Sequence, residues 1–298
     1  MPEALAGVKA TQSRRPSLPA HGFLGLAIML LGEGFMLAKI NPVYEWFTPV
    51  QWTGYLLLLD ALLIKWRSES FIFAHTREFC ALAFFSVVYW FMFEGYNLHL
   101  RNWAYVNLPQ NFALRLVGFV WAFATVYPGI LMTNEVLQAL GLFKNVPFKS
   151  RLKKPLSFPR WLLNTFIVFG FLCCTVPFLV PHAIAQYLFV FVWVGFIFLL
   201  DPMNYRAGLP SLLSELERGS VRTMLTLFVA GIICGFLWEF WNYWAGTKWV
   251  YTVPYFNKPK IFEMPLYGYL GFMAFAVECF TMWHFTRNFL PASWKRWR

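Results

Sequence analysis

What most limits the folds open to this chain is a succession of long apolar runs in which polar and apolar residues do not alternate. Eight of them fall at roughly 22–39, 46–64, 78–98, 113–137, 161–180, 183–201, 223–245 and 264–287. A helix needs about 20 consecutive apolar residues to cross the hydrocarbon of a bilayer, whereas a strand of a membrane barrel alternates with a period of two. The reading is an all-α polytopic membrane protein with about eight transmembrane helices. Composition agrees: 59% of the residues are hydrophobic and only 13% charged, about half the charge of an ordinary soluble domain.

A net charge of +11 raises the question of a polyanionic partner, and the placement of the charges answers it. In an eight-helix chain, 19 of the 25 Lys and Arg fall on one side, in the N-terminal segment, the even-numbered loops and the C-terminal segment. The other six are Lys39, Arg101, Arg115, Lys248, Lys258 and Lys260. Such a bias places both termini in the cytoplasm, here of a bacterial inner membrane. It accounts for the basic balance with membrane lipid as the partner and no nucleic acid, and the run "KNVPFKSRLKKP" suits anionic headgroups. The first 21 residues read as a basic tail; a Glu inside the following apolar run and the lack of a small-residue cleavage site argue against a secretory signal.

The apolar runs repeat. "WTGYLLLLD" (52–60) matches "WVGFIFLLD" (193–201), and "REFCALAFFSVVYWFMFEGYN" (77–97) aligns without a gap to "RTMLTLFVAGIICGFLWEFWN" (222–242). The likeness runs on through "NWAYVNLP" and "KWVYTVP", and "WAFATVY" (121–127) resembles "MAFAVEC" (273–279). The unit is four helices used twice, at 22–140 and 161–289, with a basic linker at 141–160 and a basic tail at 290–298. An even number of spans per unit makes the repeats parallel, related by a pseudo-two-fold axis along the membrane normal.

Ionisable groups inside a membrane are rare and mark either function or structural pairing. Asp60 and Arg77, and their counterparts Asp201 and Arg222, lie at one membrane side and read as an ion pair within each hairpin. Glu94 and Asn97, like Glu239 and Asn242, are three residues apart on one helix face. They lie about 26 Å from the Arg of their helix and belong to the opposite leaflet, with Trp238, Trp249 and Tyr251 around the second pair. These residues read either as an interhelical clasp with an aromatic belt or as the polar end of a lipid-accessible pocket. Two acids break the repeat: Glu33, and Glu278 where the first unit has Val126. Glu278 and Glu239 are the candidate catalytic acids, with Asn242, Trp238, Trp249, Tyr251, Glu94 and Asn97 as candidate substrate contacts. The five Cys and five His show neither CxxC nor helical i, i+4 spacing, so no metal and no cofactor are expected.

Glu239, "KWVY", Pro254 and "EMPLYGYLGF" (263–272) together resemble the membrane-integral lycopene cyclase domain family, of the heterodimeric bacterial and fused fungal kind. Tyr267 and Gly268 stand where that family carries paired acids. The resemblance implies a hydrophobic isoprenoid or polyene ligand and acid-initiated cyclisation or isomerisation. Two other classes fit the residues: a lipid or small-solute transporter or binding protein, and a membrane assembly subunit. Nucleotide hydrolysis and His-bound di-iron oxidation find no motif.

Overall fold

The computed structural model describes residues 17–146 and 156–295; most of the basic 1–21 tail, the centre of the 141–160 linker and the last three residues lie outside them. Among the described residues eight segments are long and apolar enough to cross a membrane, and the protein is an all-α polytopic membrane protein. Seven are single helices: α1 (Ala20–Leu37), α2 (Phe47–Arg67), α3 (Thr76–Leu100), α6 (Arg160–Leu179), α8 (Phe189–Arg206), α10 (Arg222–Trp244) and α11 (Tyr269–Arg287). The remaining span is made of two pieces, α4 (Phe112–Ala124) and α5 (Val126–Ala139). Short helices α7 (His182–Ala185) and α9 (Leu212–Glu217) lie in loops. So do four short strands, β1 (Trp103–Val106), β2 (Lys248–Tyr251), β3 (Lys260–Ile261) and β4 (Met264–Pro265), which the apolar runs did not predict. Two expected spans are corrected: 183–201 starts only at Phe189 because α7 is separate, and 264–287 begins with strand β4 and a 3-10 turn at Leu266–Gly268.

The surface is inverted relative to a water-soluble protein. Leu24, Leu30, Phe84, Leu172 and Phe178 are exposed side chains, as a hydrocarbon surround allows. Inside, Trp52, Tyr127, Phe93, Trp238, Trp241, Phe275 and Trp283 form the centre of one continuous core. Trp52 packs on Trp238 at 4.9 Å between ring centroids, and Phe93 stacks on Trp193 at 5.1 Å. Since Trp52 aligns with Trp193 and Phe93 with Trp238, the same inter-unit contact occurs twice.

Helix pairs α1/α2 and α6/α8 are the tightest in the bundle, and both cross at glycine. A β-carbon on Gly25 would stand 2.5 Å from the Gly54 carbonyl oxygen, and one on Gly170 would stand 2.6 Å from that of Gly195. Helices in lipid gain little from apolar burial against each other, so close backbone approach supplies the packing.

The α4–α5 break has a local cause. Pro128, at the start of α5, lacks an N–H and its ring displaces the carbonyl four residues earlier. Two backbone groups at the break bind Ser86 of α3: its Oγ donates to Phe123 O at 2.5 Å and accepts from Tyr127 N at 3.0 Å. In the second unit Phe280 replaces Pro128 and Gly231 replaces Ser86, and α11 runs unbroken. A β-carbon on Gly231 would meet the Phe272 carbonyl oxygen at 2.2 Å, so α10 and α11 pack close where α3 and α4 are bridged.

Candidate functional site at the strand end of the bundle

The bundle has a basic end, holding Arg67, Arg77, Arg206, Arg222 and Arg287, and a strand end, holding β1 to β4. At the strand end β1 and β2 form an antiparallel ladder pairing Trp103 with Tyr251, Ala104 with Val250 and Tyr105 with Trp249. Trp103 aligns with Trp249 and Tyr105 with Tyr251 in the repeat, so exchanging the strands leaves this register unchanged. The local two-fold passes through the Ala104–Val250 pair.

Each strand is tied to the helix before it by the E-x-x-N residues. Asn97 accepts from Asn102 N at 2.8 Å and donates to Trp103 O at 2.8 Å; Asn242 accepts from Trp249 N and donates to Trp249 O, both at 2.9 Å. Both amides hold the turn into the strand, each through one N–H and its carbonyl oxygen.

The two acids differ. Glu94 Oε1 accepts from Trp103 Nε1 at 3.0 Å and from Tyr105 Oη at 2.6 Å, and the residue is half-buried. In the second unit Trp249 Nε1 donates instead to Tyr251 Oη at 3.0 Å, and Tyr251 donates to Glu239 Oε1 at 2.8 Å. Glu239 is fully buried and its Oε2 has no partner. Burial, then the neighbouring acid, push the Tyr251 and Tyr105 phenols well above their ordinary range, so both remain O–H donors. Around Glu239 stand Lys260, Glu263 and Tyr269, and Lys248 Nζ bonds Glu263 at 2.7 Å. Trp238 faces the core, on Trp52 and Phe275, rather than the strand end.

The chain matches no family model, no curated protein and no solved structure.

Glu278 does not join this site. The Gly231–Phe272 contact sets the register of α10 against α11; at 1.5 Å per residue Glu239 lies about 12 Å from it towards the strand end and Glu278 about 9 Å towards the basic end. The two acids are thus roughly 20 Å apart along the bundle. Glu278 is fully buried, in the neighbourhood of Tyr96, Tyr127 and Cys174, and neither carboxyl oxygen has a hydrogen-bond partner. Glu33, on α1, lies beside Trp241.

At the basic end the expected Asp–Arg ion pairs are replaced by another arrangement. Asp60 accepts from Phe71 N, Ile72 N and Ser70 Oγ at 2.7–2.9 Å, with His21 Nε2 at 3.2 Å. Asp201 accepts from Leu212 N at 2.8 Å and Leu213 N at 3.0 Å. Both aspartates hold the backbone 11 and 12 residues ahead, and Ser70 and Ser211, each 10 residues ahead, accept from the next N–H of their turns, Phe73 and Ser214. The signal was in the sequence as an Asp-x9-Ser spacing occurring twice. Arg222 instead donates to Gln138 O at 2.6 Å and Leu142 O at 3.0 Å, at the end of α5. Arg77 makes no hydrogen bond or ion pair among the described residues. Arginine instead pairs with carboxylate at this end as Arg67–Glu135 and Arg287–Glu78, and His75 meets Glu69 at 2.6 Å. Among the described residues no cluster of His, Cys, Asp or Glu could hold a metal, and four of the five cysteines are buried.

Proposed function

We propose that this integral membrane protein acts on an apolar isoprenoid or polyene lipid by acid-initiated isomerisation, with Glu239 as the proton donor. The observation that carries the reading is the half-used carboxyl of Glu239. Trp249 orients the Tyr251 hydroxyl, Tyr251 holds Oε1, and Oε2 is left unpartnered in a buried, aromatic setting. A general acid needs such orientation before it needs anything else.

In the proposed reaction the Glu239 Oε2 proton adds to a carbon–carbon double bond, and the cation formed is closed on by a neighbouring double bond. Loss of a proton from an adjacent carbon to the Glu239 carboxylate restores the acid, so no oxidant or cofactor is consumed. Aromatic π faces attract such a cation. Tyr267, Leu270 and Phe256 are exposed beside β3, β4 and the start of α11, which suits lateral entry of a lipid from the bilayer. The resemblance of 239–272 to the lycopene cyclase domain family supports the substrate class. The basic bias supports termini facing the cytoplasm of a bacterial inner membrane.

The test is expression in a bacterial host that accumulates lycopene, with chromatography of the extracted pigments. Conversion to a cyclised or isomerised product is expected. Glu239→Gln, inserted at the wild-type level by immunoblot, should lower conversion at least about 100-fold, while Glu278→Gln should retain it. Unchanged pigment with inserted wild-type protein overturns the reading.

A further inference from the structure

The two units differ at the basic end, where one seam is closed and the other is an open groove. Continuing the alignment of 121–127 with 273–279 sets Leu290 opposite Gln138 and Trp294 opposite Leu142. In one seam, Arg222 at the start of α10 reaches the Gln138 and Leu142 carbonyls and closes α10 onto the end of α5. In the other, Arg77 at the start of α3 faces Leu290 and Trp294 across a groove and bonds neither. After α11 the chain turns at Pro291 into a short 3-10 turn, Ala292–Trp294, while the Gly141 turn after α5, with φ +82°, brings Leu142 back to Arg222.

The groove has a polarity order. Arg77 sits at its outer end, Ala81, Phe84 and Phe85 form the floor, and Leu290 and Trp294 form the wall. Phe84 is 62% exposed, so the floor opens sideways to the bilayer. From Arg77 to Phe84 is about 10 Å along the helix, running from the membrane boundary inward. Among the described residues no acidic side chain lines the groove, and the neighbouring Arg287 is engaged by Glu78.

We infer that this groove holds one anionic phospholipid of the leaflet on the side of the termini, its phosphate on the Arg77 guanidinium and an acyl chain along Phe84 and Phe85. An unpaired guanidinium is the side chain best shaped for a phosphate. Headgroup outside and chain inside is the order in which the groove presents charge and hydrocarbon. A soluble anion would find almost nothing but apolar wall, and a helix of a second copy would leave the Arg77 charge unmatched. The site lies at the opposite end of the bundle from Glu239 and does not depend on acid chemistry there.

The experiment is native mass spectrometry of the full chain in mild detergent, titrated separately with dioleoyl phosphatidylglycerol and dioleoyl phosphatidylcholine. The wild type should retain one phosphatidylglycerol about fivefold more strongly than phosphatidylcholine, the preference expected of about one interfacial cation. Arg77→Ala should abolish the preference and Arg77→Lys should keep part of it. Leu290→Trp, which fills the groove and leaves Arg77 in place, should weaken retention of both lipids. Equal retention of the two lipids by the wild type, undiminished preference in Arg77→Ala, or unchanged binding in Leu290→Trp would overturn the inference, as would a dimer that dissociates on Arg77→Ala.

Discussion

Asp60 shows how a polar residue in a membrane helix is placed by the chain that follows it. Its carboxylate serves two backbone N–H groups and the Ser70 hydroxyl, and Asp201 serves the equivalent pair of N–H groups. Buried donors left without an acceptor each cost about 1–3 kcal/mol. Asp60→Ala and Asp201→Ala should therefore each lower stability by about 3 kcal/mol, read as a loss of melting temperature in detergent. Arg77→Ala should stay within about 0.5 kcal/mol of wild type, since the Arg77 side chain has no hydrogen-bond or ion-pair partner among the described residues. A matching loss in all three would restore the ion pair that the residue types suggested. The recurrence of both aspartates was plain in the sequence, but their partners are main-chain groups, which carry no letter of their own.

Among the elements, the glycine crossings of α1 with α2 and of α6 with α8 matter most, because each places one backbone within reach of another. Gly25→Leu or Gly170→Leu would run into backbone rather than a side chain that can move aside: the Gly54 carbonyl oxygen and Leu58 N in the first, Leu199 N and the Gly195 carbonyl oxygen in the second. Each substitution should cost about 3 kcal/mol or more and lower the yield of folded protein in fluorescence-detected size exclusion. Gly34→Leu, where a β-carbon meets nothing within 4 Å, should be tolerated; equal damage at Gly34 and Gly25 would refute the close-approach account. Element existence was legible because hydropathy along one helix is a local property. The α4–α5 break has its letter in the sequence, Pro128, but the group that serves the backbone there was not legible, because Ser86 lies 37 residues away on α3.

At the scale of the whole molecule, the two units are joined across the strand end by the β1–β2 ladder and through the core by the reciprocal Trp52–Trp238 and Phe93–Trp193 contacts. Directly opposed residues of an antiparallel ladder have Cα atoms about 4.5–5.5 Å apart, within the range a disulfide spans. The Ala104→Cys/Val250→Cys variant should therefore close a bridge on mild oxidation. With a protease site placed at 147–155, the two halves should run as one band on a non-reducing gel and as two after reduction. Separation of the halves under oxidising conditions would rule out the ladder register.

The sequence by itself determined that this chain enters a membrane, roughly where its spans lie and which residues of one half answer to which of the other. Those properties follow from hydropathy and from spacing along a single segment. Tertiary structure decided which polar group meets which. Asp60 went to a turn rather than to Arg77, and Arg222 closed a seam that Arg77 leaves open. Trp249 gives its N–H to Tyr251, where Trp103 gives its own to Glu94 directly. The separation of Glu239 from Glu278 rests on the register of α10 against α11, fixed where Gly231 meets the Phe272 carbonyl. Pairing of this kind depends on helix register and loop path, and both are set by contacts between segments distant in the chain.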